Sequence, residues 1–200
     1  MDPSDKVVAA AVALLPILCS LEDRPEVSAI AISAAAELIT RESAGCASRV
    51  AAARTLSQLA LKGDDSTGVL LRNLLSSSES AARAAAVKSL GHVCGRDAVA
   101  DLKAFASDDA PSVRMAVAAA LGAAGGSEAI STLLQMLESD ESCLVRERAA
   151  RAIGKAAESA GAIRTTARTS SGLEIWQEEA TDALLAALET DDYAVQVCRI

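Results

Sequence analysis

The side chains in this sequence that could take part in chemistry are few and far apart. His92 is the only histidine, and the nearest cysteine to it is Cys94. A zinc site needs three or four His, Cys or carboxylate ligands, so this pair falls short of one. The phosphate-binding P-loop and the glycine fingerprint of dinucleotide sites are both missing. We therefore predict a protein without catalytic residues, bound metal or cofactor, and not an enzyme.

The number and spacing of the cysteines indicate a cellular compartment and give no sign of a catalytic role. An odd, dispersed set without C-x-x-C spacing favours reduced thiols, which predicts the cytoplasm or another reducing compartment, with an organelle left open. Two of them, Cys94 and Cys143, fall at helical positions otherwise filled by small apolar residues, so we expect both in the core. The five cysteines are Cys19, Cys46, Cys94, Cys143 and Cys198.

Three arginines recur in one phrase, in which Leu-Gly or Ile-Gly follows seven residues after the arginine. Arg83, Arg114 and Arg146 lie 31 and 32 residues apart, and a weaker copy starts at Arg49. A row of arginines can bind anions. Here each arginine falls in the first turns of a predicted helix beside acidic residues, so we expect pairing between adjacent repeats. Periods of this size are typical of stacked two-helix units, none of which can bury its apolar face alone.

Composition predicts an all-α protein. Alanine supplies 45 of the 200 residues, whereas Phe, Tyr and Trp occur once each. Alanine is the best helix former, and sheets prefer aromatic and β-branched residues. The net charge of −8, with no Lys/Arg cluster, excludes the basic face that phosphate contacts require, so we expect no nucleic-acid binding.

The apolar stretch of residues 7–19 is too short to cross a bilayer. It also lacks the positively charged segment that precedes the apolar region of a signal peptide. We therefore predict no membrane insertion, and a buried first helix.

Start and stop signals for helices alternate along the chain. The sequence Asp108-Asp109-Ala110-Pro111 predicts an aspartate N-cap with proline in the first turn, and Gly125-Gly126 predicts the end of that helix. The same pattern predicts about eleven helices in all. Those it places are at residues 5–20, 26–40, 46–61, 68–75, 80–94, 97–106, 112–124, 128–137 and 142–157.

One of these units carries a recognisable pattern. It consists of residues 109–114 with Ala118, Leu121 and Gly122, followed by residues 127–130 with Leu133 and Leu137. This pattern resembles the HEAT family, specifically the short HEAT-like repeats first noted in phycobilisome lyases. Residues 68–75 followed by 81–90 look closer to an armadillo repeat. The resemblance implies a right-handed α-solenoid that binds proteins. The alternative that it implies is a phycobilin lyase or another chromophore-handling protein.

We predict a single solenoid over residues 1–200, with one interruption. From Leu90 to Leu102, and again from Leu121 to Leu133, the step between matching positions is 12 residues, whereas Ile153 to Leu184 is 31. The predicted parts are N-terminal helices at 1–41, regular repeats at 42–157, an insertion loop at 158–176 and a last repeat at 177–200. That repeat stops before its Leu-Gly position, which favours a subunit of a complex or a fragment of a longer chain.

Two surfaces are candidates for partner binding. The insertion is either a plain surface loop, with Trp176 anchoring the next helix, or a segment that docks on a partner. The second helix of each predicted two-helix unit presents an outward stripe of small, nearly neutral side chains. This stripe either binds a helix or peptide of a partner or is ordinary solvated surface. The candidate residues are Asn73, Ser131, Gln135 and Asp182 on the stripe and Arg164, Arg168 and Trp176 in the insertion. The predicted function is a non-catalytic protein-binding scaffold or assembly subunit.

Overall fold

The computed structural model describes residues 3–21, 25–41, 43–61 and 63–164, with side-chain environments as far as residue 156. These residues form helices and connecting turns and contain no strand, which confirms the predicted all-α class of stacked helix pairs. The helices are α1 Pro3–Leu21, α2 Pro25–Thr40, α3 Cys46–Leu59, α4 Asp65–Leu75, α5 Ser80–Val93, α6 Val99–Ala104, α7 Pro111–Ala124, α8 Ser127–Ser139 and α9 Cys143–Arg164.

The chain divides into two compact units, Met1–Gly95 and Arg96–Ile200. In the first unit α3 lies between α1 and α5, α2 packs on α3 and α1, and α4 packs on α5. The first helices of the two-helix units, α1, α3 and α5, therefore form one row. The second helices, α2 and α4, lie beside this row, which is the arrangement that the repeat period predicts. In the second unit α7 and α8 both pack on α9, and α6 contacts α7 and α8.

Small residues let the first helices approach closely. A Cβ added at Gly122 of α7 would lie 2.6 Å from the Cβ of Ala152 in α9, and 2.9 Å from its Cα. The leucine before this glycine, Leu121, is fully buried, and so are its repeat equivalents Leu90 and Ile153. In α7 the Leu-Gly phrase thus combines a core side chain, Leu121, with a site of close helix contact, Gly122.

A proline in α1 is compensated from the neighbouring helix. Pro16 has no N–H, so the carbonyl of Val12, four residues earlier, loses its helical donor. The buried hydroxyl of Thr55 in α3 donates to that carbonyl at 3.0 Å. Asp5 near the start of α1 likewise accepts hydrogen bonds from the backbone N–H groups of Ala47 and Ser48 at the start of α3. These contacts fix the register of α1 on α3.

Several predicted details are wrong. The first helix is not buried all round, because Val7, Leu14, Ile17 and Leu18 are all at least half exposed and only one side of α1 meets α3. Cys143 is exposed at the start of α9, and Cys94 is only partly buried. The predicted helix at 97–106 is shorter, because a 3-10 turn at Gly95–Ala98 comes before α6.

Two predicted helix boundaries also differ, at the start of α7 and at the end of α9. The N-cap of α7 is Ala110 and not an aspartate, because Pro111 at the first helical position holds the preceding residue extended (φ −88°, ψ 119°). Asp108 instead accepts a hydrogen bond from the N–H of Ala110 at 2.9 Å. Helix α9 continues to Arg164, so the start of the predicted insertion at 158 is helical.

Candidate functional site

A groove of about 420 Å³ opens between the second helices of the C-terminal unit. One wall comes from α6 and the loop after it, and the other comes from successive turns of α8. The loop between α8 and α9 closes one end. The lining residues are Lys103, Ala106 and Ser107 on the first wall, Thr132, Gln135, Met136 and Ser139 on the second, and Arg114, Asp140 and Glu141 at the closed end.

The α8 wall follows from helical periodicity. Residues 132, 135, 136 and 139 stand at i, i+3, i+4 and i+7, so they share one face of the helix. Gln135 is exposed and Met136 is buried, so the wall is polar at its solvent-facing edge and apolar at its base. The hydroxyls of Thr132 and Ser139 donate to carbonyls within the helix, at 3.0 and 2.7 Å. Their oxygens keep lone pairs that can accept from a ligand.

Arg114 lies at the closed end of the groove, and the hydrogen-bond donors of its guanidinium group already have acceptors. Its side chain is 6 % exposed and that of its partner Asp140 is 5 % exposed. Its Nε donates to Asp140 Oδ2 at 2.8 Å, and one Nη donates to Oδ1 at 3.0 Å and to Glu141 at 3.0 Å. The other Nη donates to the carbonyl of Asp108 at 2.8 Å. The hydrogen bond with Asp140 raises the pKa of Arg114, although burial opposes it.

This geometry excludes Arg114 as an anion-binding residue, because its donors already have partners. The predicted pairing between adjacent repeats is confirmed here, since Arg114 belongs to α7 and Asp140 to the loop before α9. Asp140 Oδ1 also accepts the N–H of Ser142 at 2.9 Å. The ion pair therefore fixes the loop that forms the closed end of the groove.

The other two repeated arginines hold their loops in the same way. Arg83 donates to the carbonyls of Ser77 and Ser78, six and five residues earlier, at 2.9 and 3.0 Å. Arg146 donates to the carbonyls of Asp140 and Glu141, with the same offsets, at 2.7 and 3.4 Å. Each arginine thus clamps the turn that precedes its own helix, a structural role that explains its recurrence.

The structure separates the predicted binding residues into three groups. Gln135 is exposed and lines the groove, and Ser131, one turn earlier, is exposed on α8 but not part of the lining. Asn73 is exposed on α4 in the N-terminal unit. Arg164 is the last residue of α9, and its side chain is not described. Arg168, Trp176 and Asp182 lie outside the described residues.

Sequence reasoning missed part of the groove. Thr132, Met136 and Ser139 share a helix face with Gln135 by the same spacing of three and four residues. The stripe predicted from the sequence runs through Ser131 and Gln135 and so lies one residue to the side of that face. Lys103 carried no signal, because a single lysine on an exposed helix is common. It lies 3.5 Å from Glu128 in an ion pair between two side chains that are more than half exposed, so solvent weakens their attraction.

Two absences hold for the part of the chain that is described. No group of three or more His, Cys, Asp and Glu side chains there could hold a metal ion. None of the helices there is long and apolar enough to span a bilayer.

Comparison with known proteins identifies the repeats. Residues 67–154 match the family model of HEAT repeats. This stretch starts within α4, ends within α9 and contains all three copies of the Arg-to-Leu/Ile-Gly phrase. These residues therefore contain HEAT repeats, as the sequence pattern predicts. The match does not extend to the phycobilisome-lyase type. No curated protein shows significant similarity to the chain.

Proposed function

We propose that this protein is a non-catalytic scaffold that binds an extended peptide segment of a protein partner in the groove between α6 and α8. The observation that carries the proposal is the composition of the groove. Its exposed wall residues Ser107, Gln135 and Ser139 are uncharged, and its charged residues already have partners: Lys103 pairs with Glu128, and Arg114 pairs with Asp140 and Glu141. Such a groove offers hydrogen bonds and contact area without a site for one charged small molecule.

The chemistry suits a polypeptide backbone. The carboxamide of Gln135 supplies both a donor and an acceptor, which matches the N–H and C=O of an extended strand. Small residues on the opposite wall, Ala106 and Ser107, leave room for the backbone to approach. The volume lies within the range of about 300–1,000 Å³ typical of ligand sites, but those sites are mostly apolar and this one is lined largely by polar side chains. These features favour a peptide over an apolar small molecule.

HEAT repeats commonly mediate protein–protein interaction, and the proposal agrees with that class. The stripe residue Asn73 on α4 extends the same chemistry to the N-terminal unit, where it remains a candidate contact. Arg164, Arg168 and Trp176 of the predicted insertion, and Asp182 of the predicted stripe, stay proposed contacts with the partner. The phycobilin-lyase alternative has no described feature in its favour, because Arg114 and Lys103, the cations of the groove, are both engaged in ion pairs.

A pair of matched variants tests the groove. Gln135→Trp would fill it, whereas Gln58→Trp places the same bulk on the exposed surface of α3 in the other unit. Peptides selected from a random display library on the wild-type chain should lose binding to Q135W and keep binding to Q58W. The same contrast is expected for partner proteins recovered from the source and identified by mass spectrometry. Equal binding by both variants would show that the groove is not the site.

A further inference from the structure

The exposed apolar side of α1 is a helix-packing face, and the register of the first helices shows this. In α5, Ser89 donates to the carbonyl of Ala53, which lies two residues before Thr55 in α3. In α3, Thr55 donates to the carbonyl of Val12, which lies two residues before Leu14 in α1. Leu14 therefore stands in α1 where Thr55 stands in α3 and Ser89 in α5.

The neighbouring positions obey the same register. Ser48 donates to the carbonyl of Asp5, two residues before Val7, so Val7 corresponds to Ser48. Ala11 follows Val7 by one turn of helix, and Leu18 follows Leu14 by one turn. In α3 and α5 the positions equivalent to Val7, Ala11 and Leu14 are all buried against the preceding first helix: Ser48, Ala52 and Thr55, and then Ala82, Ala86 and Ser89.

Only in α1 is this face open among the described helices of the N-terminal unit. Val7 is 69 % exposed, Leu14 is 53 % exposed and Leu18 is 51 % exposed, and Ala11 between them is exposed too. Two of the four positions carry larger and more apolar side chains than their equivalents, because Val7 stands in place of Ser or Ala and Leu14 in place of Thr or Ser. Because the equivalent positions of α3 and α5 pack against a neighbouring helix, this face of α1 has the same packing geometry with no helix on it among the described residues.

The spacing of the face specifies a helix as its occupant. Residues 7, 11, 14 and 18 follow the 4–3–4 steps of a coiled-coil seam, in which each apolar side chain inserts between four residues of the facing helix. No charged residue occurs between Lys6 and Glu22. A lipid surface would be matched by several basic residues along the polar side of the helix, whereas α1 has a single lysine, Lys6, next to Asp5. A charged peptide would find no partner charge among residues 7–21.

We propose that α1 of a second copy of this chain covers this face, so that the protein forms a dimer through α1–α1 packing. The seam on one copy supplies the heptad spacing that the seam on the other requires. Because the face is neutral, two copies can meet there without like-charge repulsion, although each carries a net charge of −8. The proposal is independent of the groove, which lies in the other unit.

The area of the apolar face on α1 determines how tightly the two copies are expected to bind. A helix of 19 residues is about 28 Å long and about 10 Å wide, which offers roughly 280 Å² per partner. Stable complexes bury about 800 Å² on each side. The dimer is therefore weak. We expect a Kd between about 1 μM and 1 mM, so the dimer should dissociate when the protein is diluted through that concentration range.

Sedimentation velocity of the 200-residue chain across that concentration range tests the proposal. Leu14→Glu places a charge in the seam, and Leu144→Glu is its matched control, because Leu144 is 55 % exposed but lies on α9. The wild type and L144E should shift from monomer to dimer with rising concentration, and L14E should remain monomeric. Both leucines are at least half exposed, so both variants should fold, which circular dichroism verifies.

A second variant and a second measurement keep the test decisive. Val7→Lys at the other end of the seam should also give a monomer, even if L14E fails to fold. Amide hydrogen exchange of wild-type α1 should slow as concentration rises, with no change in α8. A wild type that stays monomeric at millimolar concentration would overturn the proposal. So would a dimer that V7K and L14E leave intact, which would place the contact elsewhere.

Discussion

The hydroxyl of Thr55 donates to the carbonyl of Val12 in the neighbouring helix, the carbonyl that Pro16 leaves without a helical donor. Thr55→Val removes the hydroxyl but keeps the shape, so a buried carbonyl loses its partner. We expect a loss of about 1–3 kcal/mol in the free energy of unfolding, measured by chemical denaturation.

Ser89→Ala is the matched control for that change. Ser89 also donates to a carbonyl of the preceding helix, but Ala53 lies inside α3 and its carbonyl has a helical donor as well. The expected loss is therefore smaller, about 1 kcal/mol or less. In a Pro16→Ala background the carbonyl of Val12 regains an N–H, and the cost of T55V should fall to the level of S89A. Equal costs for T55V with and without Pro16 would contradict this explanation.

Arg114→Met should be among the most destabilising changes in the second unit. It leaves the carboxylate of Asp140, 5 % exposed, without its cation. Breaking one side of a buried pair costs about 3–5 kcal/mol, which urea denaturation would detect as a lower midpoint. Arg151→Met removes an ion pair with Glu147 in which the arginine is 56 % exposed, and should cost about 0.5 kcal/mol or less. The double variant R114M/D140L should recover part of the loss. No recovery would mean that packing by the arginine stem, and not the pair, carries the effect.

The two glycines of the Leu-Gly phrase in the second unit predict opposite outcomes. Gly122→Ala puts a methyl group 2.6 Å from Ala152 Cβ, with backbone atoms of Ala152 within 3.0 Å, so the helices must separate. Overpacking of this kind costs about 1–3 kcal/mol. Gly154→Ala meets no atom of the described residues within 4 Å and improves helix propensity by about 0.5–1 kcal/mol. Thermal unfolding should show a lower Tm for G122A and an equal or higher Tm for G154A.

The repeat pattern predicted most of the fold because each buried position recurs with its period. Leu71, Leu102 and Leu133, aligned as core from sequence alone, are all fully buried. The failures occur where the cause is non-local. Nothing in the sequence of α1 shows that the side carrying Val7, Leu14 and Leu18 contacts no other described helix, so these residues were expected to be buried. Cys143 resembles a core residue by type, yet it stands at the first position of α9 and faces solvent.

The site was predictable only in part. Gln135 follows from helical spacing, but the closed end of the groove depends on the Arg114–Asp140 pair, which holds the loop after α8 against α7 although the two residues are 26 positions apart. That distance in sequence is fixed by the repeat, whereas the choice of Asp140 over its acidic neighbour Glu141 as the buried partner depends on packing. Sequence reasoning predicted acidic partners for the arginines without identifying them.

Acid should weaken the start of α4 through Asp64. The side chain of this N-cap residue accepts from the hydroxyl of Thr67 and the N–H of Ser66, and these hydrogen bonds, that from Thr67 foremost, lower the pKa of Asp64 despite the opposing effect of burial. A carboxyl with a lowered pKa stabilises the fold at neutral pH, and that contribution is lost as the pH falls through the acid range. Asp64→Ala should cost about 1 kcal/mol at pH 7. Asp64→Asn keeps the cap without the charge, so its stability should depend less on pH below about 4. An unchanged acid profile in D64N would show that the charge is irrelevant.

Alkylation rates should distinguish two cysteines of the folded protein. Burial, and then the negative charge and hydrogen bond of Glu79, raise the pKa of the Cys46 thiol. The thiolate is the reactive form, so at pH 8 Cys46 should react with iodoacetamide more slowly than exposed Cys143, as peptide mass spectrometry would measure. Glu79→Gln removes the charge and should accelerate Cys46 alone, whereas Glu138→Gln on exposed α8 should change neither rate. If Cys46 in E79Q still reacts at the wild-type rate, burial by itself accounts for its low reactivity, because the desolvation of the thiolate persists when the neighbouring carboxylate is gone.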